Sequence, residues 1–206
     1  MKDNKSLPVS AIILAGGESS RMSAPKAFLT VGGSAIILRE IAVLRPVFSE
    51  VIIAASDPMP FGGLGCRVVP DDARFRDAKG PLVGVYSGLA AADNGCAFAV
   101  GCDMPFIEPG LVDWMAGLTT GFDLVIPRVG GYAEPLFGFY KKTALPAMED
   151  ALIRGERRLQ GVFGGLNVLY VEGHEMRPLD PELRSFVNIN TPDDLAAAEG
   201  LLSGRR

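Results

Sequence analysis

A glycine pair followed by two spaced cations predicts a phosphate-binding loop near the start of the chain. The pair is Gly16-Gly17, after an apolar run, and the cations are Arg21 and Lys26. Glycines let backbone N–H groups approach phosphate oxygens, and the cations would offset the charge of a triphosphate. The spacing matches neither the G-x-G-x-x-G nor the Walker pattern, which disfavours a dinucleotide fold or a P-loop NTPase. The alternative is an ordinary turn with solvated charges.

Asp103 is a carboxylate in the position where open α/β sheets bind ligands. It follows the apolar run Ala97–Val100, which predicts a buried strand, and ligands of such sheets bind beyond the carboxyl ends of strands. Mg²⁺ is usually held by one or two carboxylates with substrate phosphates and water, so one aspartate can serve as the metal ligand. The alternative is a cap of the following turn. Asp103, Lys26 and Arg21 are the catalytic candidates.

Three further polar side chains are candidates for contacting a nucleotide. Asp71 lies in a loop after a short predicted strand and would accept hydrogen bonds from a base or a ribose. Asn188 and Asn190 alternate with apolar residues in a predicted strand, so both would face one ligand or a metal-bound water. The alternatives are a solvated turn carboxylate for Asp71 and hydrogen bonds to loops and caps for the asparagines.

Other classes of site lack the residues that they need. His174 is the only histidine, which leaves too few parts for a His-rich metal site or a Ser-His-Asp triad. Glu134 is a further candidate carboxylate, but no spacing relates it to Asp103.

Short β-branched runs alternate with segments of helical spacing, which predicts βαβ units. The expected fold class is α/β, a single domain with a mostly parallel sheet flanked by helices. Strands are predicted at 11–14, 51–54, 66–69, 97–100, 124–126, 136–140, 168–171 and 187–190. Helices are predicted at about 34–44, 80–92, 109–118 and 143–153, and from Thr191 onwards.

The composition is that of an acidic chain without targeting or membrane signals. A net charge of −4 and an isoelectric point of about 5.1 argue against nucleic acid as the main partner, since such proteins usually carry a basic excess. The 206 residues suit one domain, 1–206, with residues 1–9 expected to be a flexible tail. No stretch suits a signal peptide or a membrane span. Three cysteines without a CxxC pair favour a reducing cytoplasm.

Taken together, these motifs resemble the molybdenum cofactor guanylyltransferases, the bacterial MobA family, over nearly the whole chain. The residues that carry the resemblance are Leu14-Ala15-Gly16-Gly17, Arg21-Met22, Lys26, Asp71, Gly80-Pro81-Leu82, Cys102-Asp103-Met104-Pro105 and Asn188-Ile189-Asn190-Thr191-Pro192. The resemblance implies a nucleotidyltransferase fold of Rossmann-like type in which Leu14, Ala15 and Gly16 contact GTP. It also implies that Lys26 and Asp71 contact the nucleotide, and that Asp103 binds both the nucleotide and Mg²⁺.

The activity implied by this resemblance is transfer of GMP from GTP to the terminal phosphate of molybdopterin, with Mg²⁺ as cofactor. The expected partners are GTP, the molybdopterin cofactor and proteins of molybdoenzyme maturation, and neither nucleic acid nor a membrane is expected. Two alternatives stay open. One is a related cytidylyltransferase that acts on molybdopterin or on a sugar or isoprenoid phosphate, and the other is a non-catalytic nucleotide-binding protein that delivers the cofactor.

Overall fold

A mixed eight-stranded sheet with helices on both faces forms the centre of the protein. The computed structural model describes residues 7–16 and 26–204. The strands are β1 (Leu7–Leu14), β2 (Thr30–Val31), β3 (Ser34–Ala35), β4 (Phe48–Ala54), β5 (Arg67–Val69), β6 (Cys96–Gly101), β7 (Leu124–Val129), β8 (Tyr132–Ala133), β9 (Phe137–Lys141) and β10 (Val168–Glu172). The helices are α1 (Ile36–Leu44), α2 (Pro81–Ala91), α3 (Pro109–Gly117), α4 (Leu145–Ile153), α5 (Gly173–Met176) and α6 (Pro192–Ser203).

The strand order is β10-β7-β9-β6-β1-β4-β5, and most neighbours are parallel. β9 lies antiparallel between β6 and β7, and β8 pairs antiparallel with β7. Because β9 reverses direction, β7 and β10 point the same way as β6. The carboxyl ends of β1, β4, β5, β6, β7 and β10 therefore meet at one edge, where sheets of this kind bind ligands. The predicted fold class is confirmed.

Alternating side chains of the central strand divide the core into two layers. In β1, Ala11 and Ile13 face the layer that contains α1 and α3, whereas Ile12 and Leu14 face α2 and α4. Because both faces of the sheet are covered, the strands have continuous apolar sequences instead of alternating ones. This is why the strands can be found from sequence as short apolar runs.

α2 lies very close to β1. A Cβ atom on Gly88 would lie 2.7 Å from Cγ2 of Ile12, and one on Gly84 would lie 3.1 Å from Cδ2 of Leu14. The two glycines are one helical turn apart and so lie on the same helix face. α2 connects the parallel strands β5 and β6, and its amino terminus therefore lies at the edge where the strands end.

Several strands extend further than their apolar runs predict, β1 and β7 among them. β1 begins at Leu7, whose N–H donates to the carbonyl of Val47 at 2.8 Å, so residues 7–9, expected in a flexible tail, belong to the sheet. β7 continues through Pro127, which lies beyond the residues paired with β9. The Pro127 carbonyl accepts the N–H of Glu134 at 2.9 Å. Proline is tolerated where its missing N–H is not needed by a neighbouring strand.

The hairpin of β2 and β3 packs on the last helix. Gly32 and Gly33 have φ of +61° and +77°, the left-handed conformation that a two-residue turn of this kind requires. The N–H of Gly32 donates to Oε1 of Glu199 at 2.9 Å. A small apolar cluster joins the hairpin, α1 and α6, and contains Val31, Ile36, Ile189 and Ala198. α6 therefore holds the chain that follows Lys26.

One carboxyl group lies inside the core, on the apolar face of α1. Glu40 is only 1% exposed, and neither carboxyl oxygen has a hydrogen bond of normal geometry to any residue that the structure describes. Burial raises the pKa of Glu40 well above its usual value, and the charge of Asp103 raises it further. The nearby N–H of Met104 lowers this pKa, but by less than the other two effects raise it. The folded protein therefore favours the protonated form of Glu40.

Membrane-spanning helices and disulfides are both missing from the described part of the chain. No described helix is long and apolar enough to cross a bilayer. All three cysteines lie in described segments, and each is a free thiol.

We expect Gly88→Ala to destabilise the protein, although alanine favours helix by roughly 1 kcal/mol over glycine. The added methyl group would meet the fully buried Ile12 at 2.7 Å, and overpacking of a core costs about 1–3 kcal/mol. Urea unfolding measures the difference. Gly200→Ala in α6, where a Cβ meets nothing within 4 Å, is the matched control and should be neutral or stabilising. A Gly88→Ala protein as stable as the parent would contradict the close approach.

We expect Glu40→Gln to change how stability depends on pH. Because folding raises the pKa of Glu40 above its ordinary value of 4.5, its contribution to stability is fully present below that pH. It is lost as the pH rises toward the pKa of the folded state. Gln does not titrate, so the stability of the variant relative to wild type should increase as the pH rises above about 5. Urea unfolding across this range tests it, with the exposed Asp113→Asn as control. Parallel pH curves would refute it.

Candidate active site

Lys26, Asp103 and Asn190 meet at the carboxyl edge of the sheet. The ammonium of Lys26 donates to Oδ2 of Asp103 at 3.2 Å and to Oδ1 of Asn190 at 2.5 Å. The side chains of Lys26 and Asp103 are 26% and 21% exposed, so the ion pair is partly shielded but open to a ligand. Three predicted site residues from distant parts of the sequence thus form one hydrogen-bonded group.

Backbone hydrogen bonds hold Asp103 between two segments. The N–H of Cys102 donates to the carbonyl of Leu14 at 3.1 Å, which ties the turn after β6 to the end of β1. The N–H of Ile189 donates to the carbonyl of Asp103 at 2.9 Å, which brings the segment before α6 alongside. The position of Asp103 therefore depends on both β1 and the carboxyl-terminal segment.

The cap of α6 determines where Asn190 lies. The Asp194 carboxylate accepts the N–H groups of Asn190 and Thr191 at 2.9 and 2.8 Å, and these bonds lower its pKa. The N–H of Asp194 donates in return to Oγ1 of Thr191 at 3.2 Å. Such a reciprocal capping box fixes the turn that leads into a helix. Asn190 is therefore held next to Lys26 by the start of the helix.

The prediction of a strand at 187–190, with Asn188 and Asn190 on one face, is wrong. These residues are irregular, because the N–H of Ile189 bonds to Asp103 and not to a neighbouring strand. Nδ2 of Asn188 donates to the carbonyl of Phe186 at 3.2 Å, which is a local contact. Of the two asparagines, the structure brings only Asn190 to Lys26.

Gly101, the last residue of β6, leaves room for the Asp103 carboxylate. A Cβ atom at Gly101 would lie 2.8 Å from Oδ1 of Asp103 and 3.6 Å from Cδ1 of Leu136. The first distance is shorter than any normal contact of a Cβ atom, so the carboxylate would have to shift. A larger residue would displace the carboxylate from its position beside Lys26.

The Gly-rich loop leaves β1 at the same edge. The N–H of Ala15 donates to the carbonyl of Ala54 at 2.9 Å. A Cβ atom at Gly16 would approach the backbone nitrogen of Ser56 at 3.3 Å, so the loop starts close against the end of β4. Gly17 and Arg21, the other candidates of this loop, lie outside the described residues.

Asp71 lies at the same edge, in the loop after β5. Its side chain is half-buried and has no hydrogen bond or ion pair to another described residue, and burial raises its pKa. The N–H of Asp72 donates to Oγ of Ser87 at 2.8 Å, which anchors this loop to α2. The Asp71 carboxylate is therefore available to a ligand.

Arg74 holds the same loop against two helices. Its guanidinium donates to the Asp72 carboxylate at 2.9 Å and to the hydroxyl oxygen of Tyr86 in α2 at 2.8 Å. It also forms an ion pair with Glu149 of α4, which accepts a hydrogen bond from the Tyr86 hydroxyl at 3.2 Å. Asp71 is thus carried by a loop that is tied to both α2 and α4.

Sequence reasoning missed three residues that shape the site. Glu40 had a signal, since it falls at helical spacing with the buried residues of α1. Gly101 had a weaker one, as a glycine at a strand end before an aspartate. Arg74 had none, because its partners Tyr86 and Glu149 lie 12 and 75 residues away.

The donor atoms around Lys26 suit Mg²⁺ that is bound together with a phosphate. Asp103 offers a carboxylate and Asn190 an amide oxygen, which are the hard oxygen ligands that Mg²⁺ prefers. Among residues 7–16 and 26–204, no group of three His, Cys, Asp or Glu side chains could hold a metal. Mg²⁺ needs only one or two carboxylates when phosphates and water complete its shell. The residues therefore fit a cation that shares its ligands with a nucleotide.

Residues 11–168 match the family of the MobA-like NTP transferase domain. A probable molybdenum cofactor guanylyltransferase from Pelotomaculum thermopropionicum is 38% identical over 200 residues, which cover 97% of this chain and 96% of that protein. A molybdenum cofactor guanylyltransferase from Desulfosudis oleivorans is 33% identical, with 96% and 98% covered. The similarity therefore extends over nearly the full length of both relatives.

Solved structures agree with the sequence comparison. Molybdopterin-guanine dinucleotide biosynthesis protein A from Archaeoglobus fulgidus has a TM-score of 0.83 at 28% identity, covering 95% of this chain and 100% of that one. The 2-C-methyl-D-erythritol 4-phosphate cytidylyltransferase from Thermus thermophilus shares the fold alone, with a TM-score of 0.67 at 23% identity and 93% and 98% covered. The fold, the match over more than half of the chain and these full-length relatives show that the chain belongs to the MobA-like NTP transferase domain family.

Proposed function

We propose that the chain is a molybdenum cofactor guanylyltransferase, which transfers GMP from GTP to the terminal phosphate of molybdopterin. An oxygen of that phosphate attacks the α-phosphorus of GTP, the bond from this phosphorus to the oxygen bridging to the β-phosphate breaks, and pyrophosphate leaves. The product is the guanine dinucleotide form of the cofactor. The convergence of Lys26, Asp103 and Asn190 at the carboxyl edge of the sheet carries this proposal, and the relatives of the same name support it.

Lys26 provides positive charge at the place where the phosphates approach the strand ends. Enzymatic phosphoryl transfer depends mainly on positioning and on electrostatic stabilisation of the transferring group. Asn190 accepts one N–H of the ammonium and so sets its direction. Arg21, which lies outside the described residues, is proposed as a second cation for the same phosphates.

Asp103 is proposed to hold Mg²⁺ together with the phosphates of GTP. The Lys26 contact uses one lone pair of Oδ2, and a carboxylate offers about four such positions. When bound, Mg²⁺ neutralises charge on the phosphates and orients them. Gly101 keeps the Asp103 carboxylate in the space that this role requires.

The nucleotide is proposed to lie along the strand ends from β6 to β5. The backbone of Leu14, Ala15 and Gly16, continued by Gly17, lines the phosphates, since these residues leave β1 beside the turn of Asp103. The half-buried Asp71 accepts hydrogen bonds from the base or the ribose. Asn188, whose Nδ2 donates to the carbonyl of Phe186, is proposed as a further nucleotide contact.

The proposed setting is the cytoplasm, with proteins of molybdoenzyme maturation as partners that receive the product. Three free thiols suit a compartment in which glutathione and thioredoxin keep cysteines reduced.

Pyrophosphate release with each of the four nucleoside triphosphates, with molybdopterin added or withheld, tests the proposed activity. We expect release only when GTP, Mg²⁺ and molybdopterin are present together. Release with CTP in place of GTP would indicate a cytidylyltransferase. Nucleotide binding without any release would indicate a delivery protein, and either result would overturn the proposal.

Asp103→Ala should lower the rate of GMP transfer by about a hundredfold or more, because the variant loses the proposed metal ligand. The fold should persist, since a partly exposed ion pair contributes at most about 1 kcal/mol. Rates of pyrophosphate release and thermal unfolding measure the two effects. Asp113→Ala, which removes an exposed carboxylate of α3, is the control. Substantial Mg²⁺-dependent transfer by Asp103→Ala would contradict the assignment.

Gly101→Ala should lower kcat without unfolding the protein, because the new methyl group would push Oδ1 of Asp103 from its position. A misplacement of about 1 Å at a reacting centre can cost about a hundredfold in rate. Steady-state kinetics with GTP and molybdopterin measure the loss. Gly95→Ala just before β6, where a Cβ meets nothing within 4 Å, is the matched control. Equal kcat values for Gly101→Ala and wild type would show that the close approach does not matter for catalysis.

A further inference from the structure

The turn before β9 places a second candidate carboxylate at the edge that carries Asp103. Glu134 lies between β8 and β9, and β9 is the direct neighbour of β6. Asp71 follows β5, three strand positions from β6 on the other side, which is about 14 Å at the usual strand spacing. Glu134 and Asp71 therefore lie on opposite sides of Asp103 along the sheet edge.

Backbone and side-chain contacts fix the segment that carries Glu134. The N–H of Glu134 donates to the carbonyl of Pro127 at 2.9 Å, and the hydroxyl of the buried Tyr140 donates to the carbonyl of Pro135 at 2.7 Å. The carbonyl of Leu136 accepts the N–H of Gly101 at 3.2 Å, which joins this turn to the strand that leads to Asp103. Glu134 is thus held in place without any contact through its own carboxylate.

The Glu134 carboxylate has no hydrogen bond or ion pair within the described ranges, although it is half-buried. Burial raises its pKa, as expected for a carboxyl group that lacks a compensating donor. The guanidinium of Arg128 in β7 does not compensate it, since Arg128 donates to Glu172 at 2.9 Å and stacks over the Tyr170 ring at 4.0 Å. A fixed, partly buried acceptor without a donor is suited to a ligand that brings N–H groups.

We propose that Glu134 binds the heterocycle of the acceptor molecule, an inference that rests on the proposed function. A carboxylate accepts hydrogen bonds and repels phosphates. We therefore place the phosphate of the acceptor molecule toward Lys26, and a neutral edge of its heterocycle with N–H donors toward Glu134. The 2-amino-4-oxo edge of a pterin has adjacent N–H donors, which one carboxylate accepts as a pair. The acceptor then lies along the β9 side of Asp103 and GTP along the β5 side.

Equilibrium binding of a fluorescent pterin phosphate, 6-hydroxymethylpterin phosphate, tests this assignment without requiring transfer. Glu134→Gln keeps the size of the side chain but replaces one acceptor oxygen by a donor. We expect it to weaken binding of the probe by about tenfold to a hundredfold, the usual range for losing a charged hydrogen bond. GTP binding and the unfolding temperature should not change. Glu134→Asp, which keeps the charge on a shorter side chain, should bind the probe with intermediate affinity.

Asp93→Asn is the control, because it removes an 82% exposed carboxylate beyond α2 at the opposite edge of the sheet. A purely structural role for Glu134 would weaken GTP binding and lower the unfolding temperature together with probe binding. Equal probe affinity in wild type and Glu134→Gln, or no binding of the probe to wild type, would overturn the inference.

Transfer kinetics separate this inference from the proposed function. If wild type releases pyrophosphate, Glu134→Gln should raise the KM for molybdopterin by a similar factor and leave the KM for GTP unchanged. An active enzyme in which Glu134→Gln leaves the acceptor KM unchanged would refute the role of Glu134 alone. Glu134-dependent binding of the pterin phosphate by a protein that transfers no nucleotide would refute the proposed function alone.

Discussion

The hydrogen bonds from Lys26 to Asp103 and Asn190 join three segments that lie far apart along the chain. A partly exposed ion pair of this kind contributes little to stability, so its importance is geometric. It requires β1 and β6 to be neighbours, since the Cys102 N–H must reach Leu14. It also requires the cap of α6, which holds Asn190 in place. The sheet order and the last helix thus both serve one small group of polar atoms.

Three glycines allow close approaches that shape the carboxyl edge of the sheet. Gly84 and Gly88 let α2 approach β1, and Gly101 makes room for the Asp103 carboxylate. Each of these residues has an ordinary negative φ, so an alanine would be limited by contacts and not by backbone strain. Close approach of α2 places its amino terminus, and the loop of Asp71 before it, against the strand ends.

Carboxylates lie on both sides of the group that is proposed to bind phosphates, and this arrangement has consequences for charge. Asp103 is compensated by Lys26, whereas the half-buried Asp71 and Glu134 have no cation among the residues described. Glu40 lies deeper in the core, where burial, and after it the charge of Asp103, raises the pKa of its carboxyl group well above the usual value. Carboxylates without a neighbouring cation suit neutral groups that donate hydrogen bonds. The nucleotide base or ribose at Asp71 and the heterocycle of the acceptor at Glu134 are therefore consistent with phosphates that Lys26 holds between them.

Local sequence determined the strands and helices because a sheet covered on both faces needs short apolar runs, and helices need periodic apolar positions and capping residues. It also identified Lys26, Asp103 and Asp71 as polar groups near strand ends. Tertiary structure alone decided that β9 runs antiparallel and that residues 187–190 lie outside the sheet. It also decided that Asn190, and not Asn188, contacts Lys26. It also decided that Arg74 pairs with Glu149. The physical reason is distance along the chain: strand direction, the acceptor of each backbone N–H and the partner of each charge depend on segments many residues away, which no local pattern records.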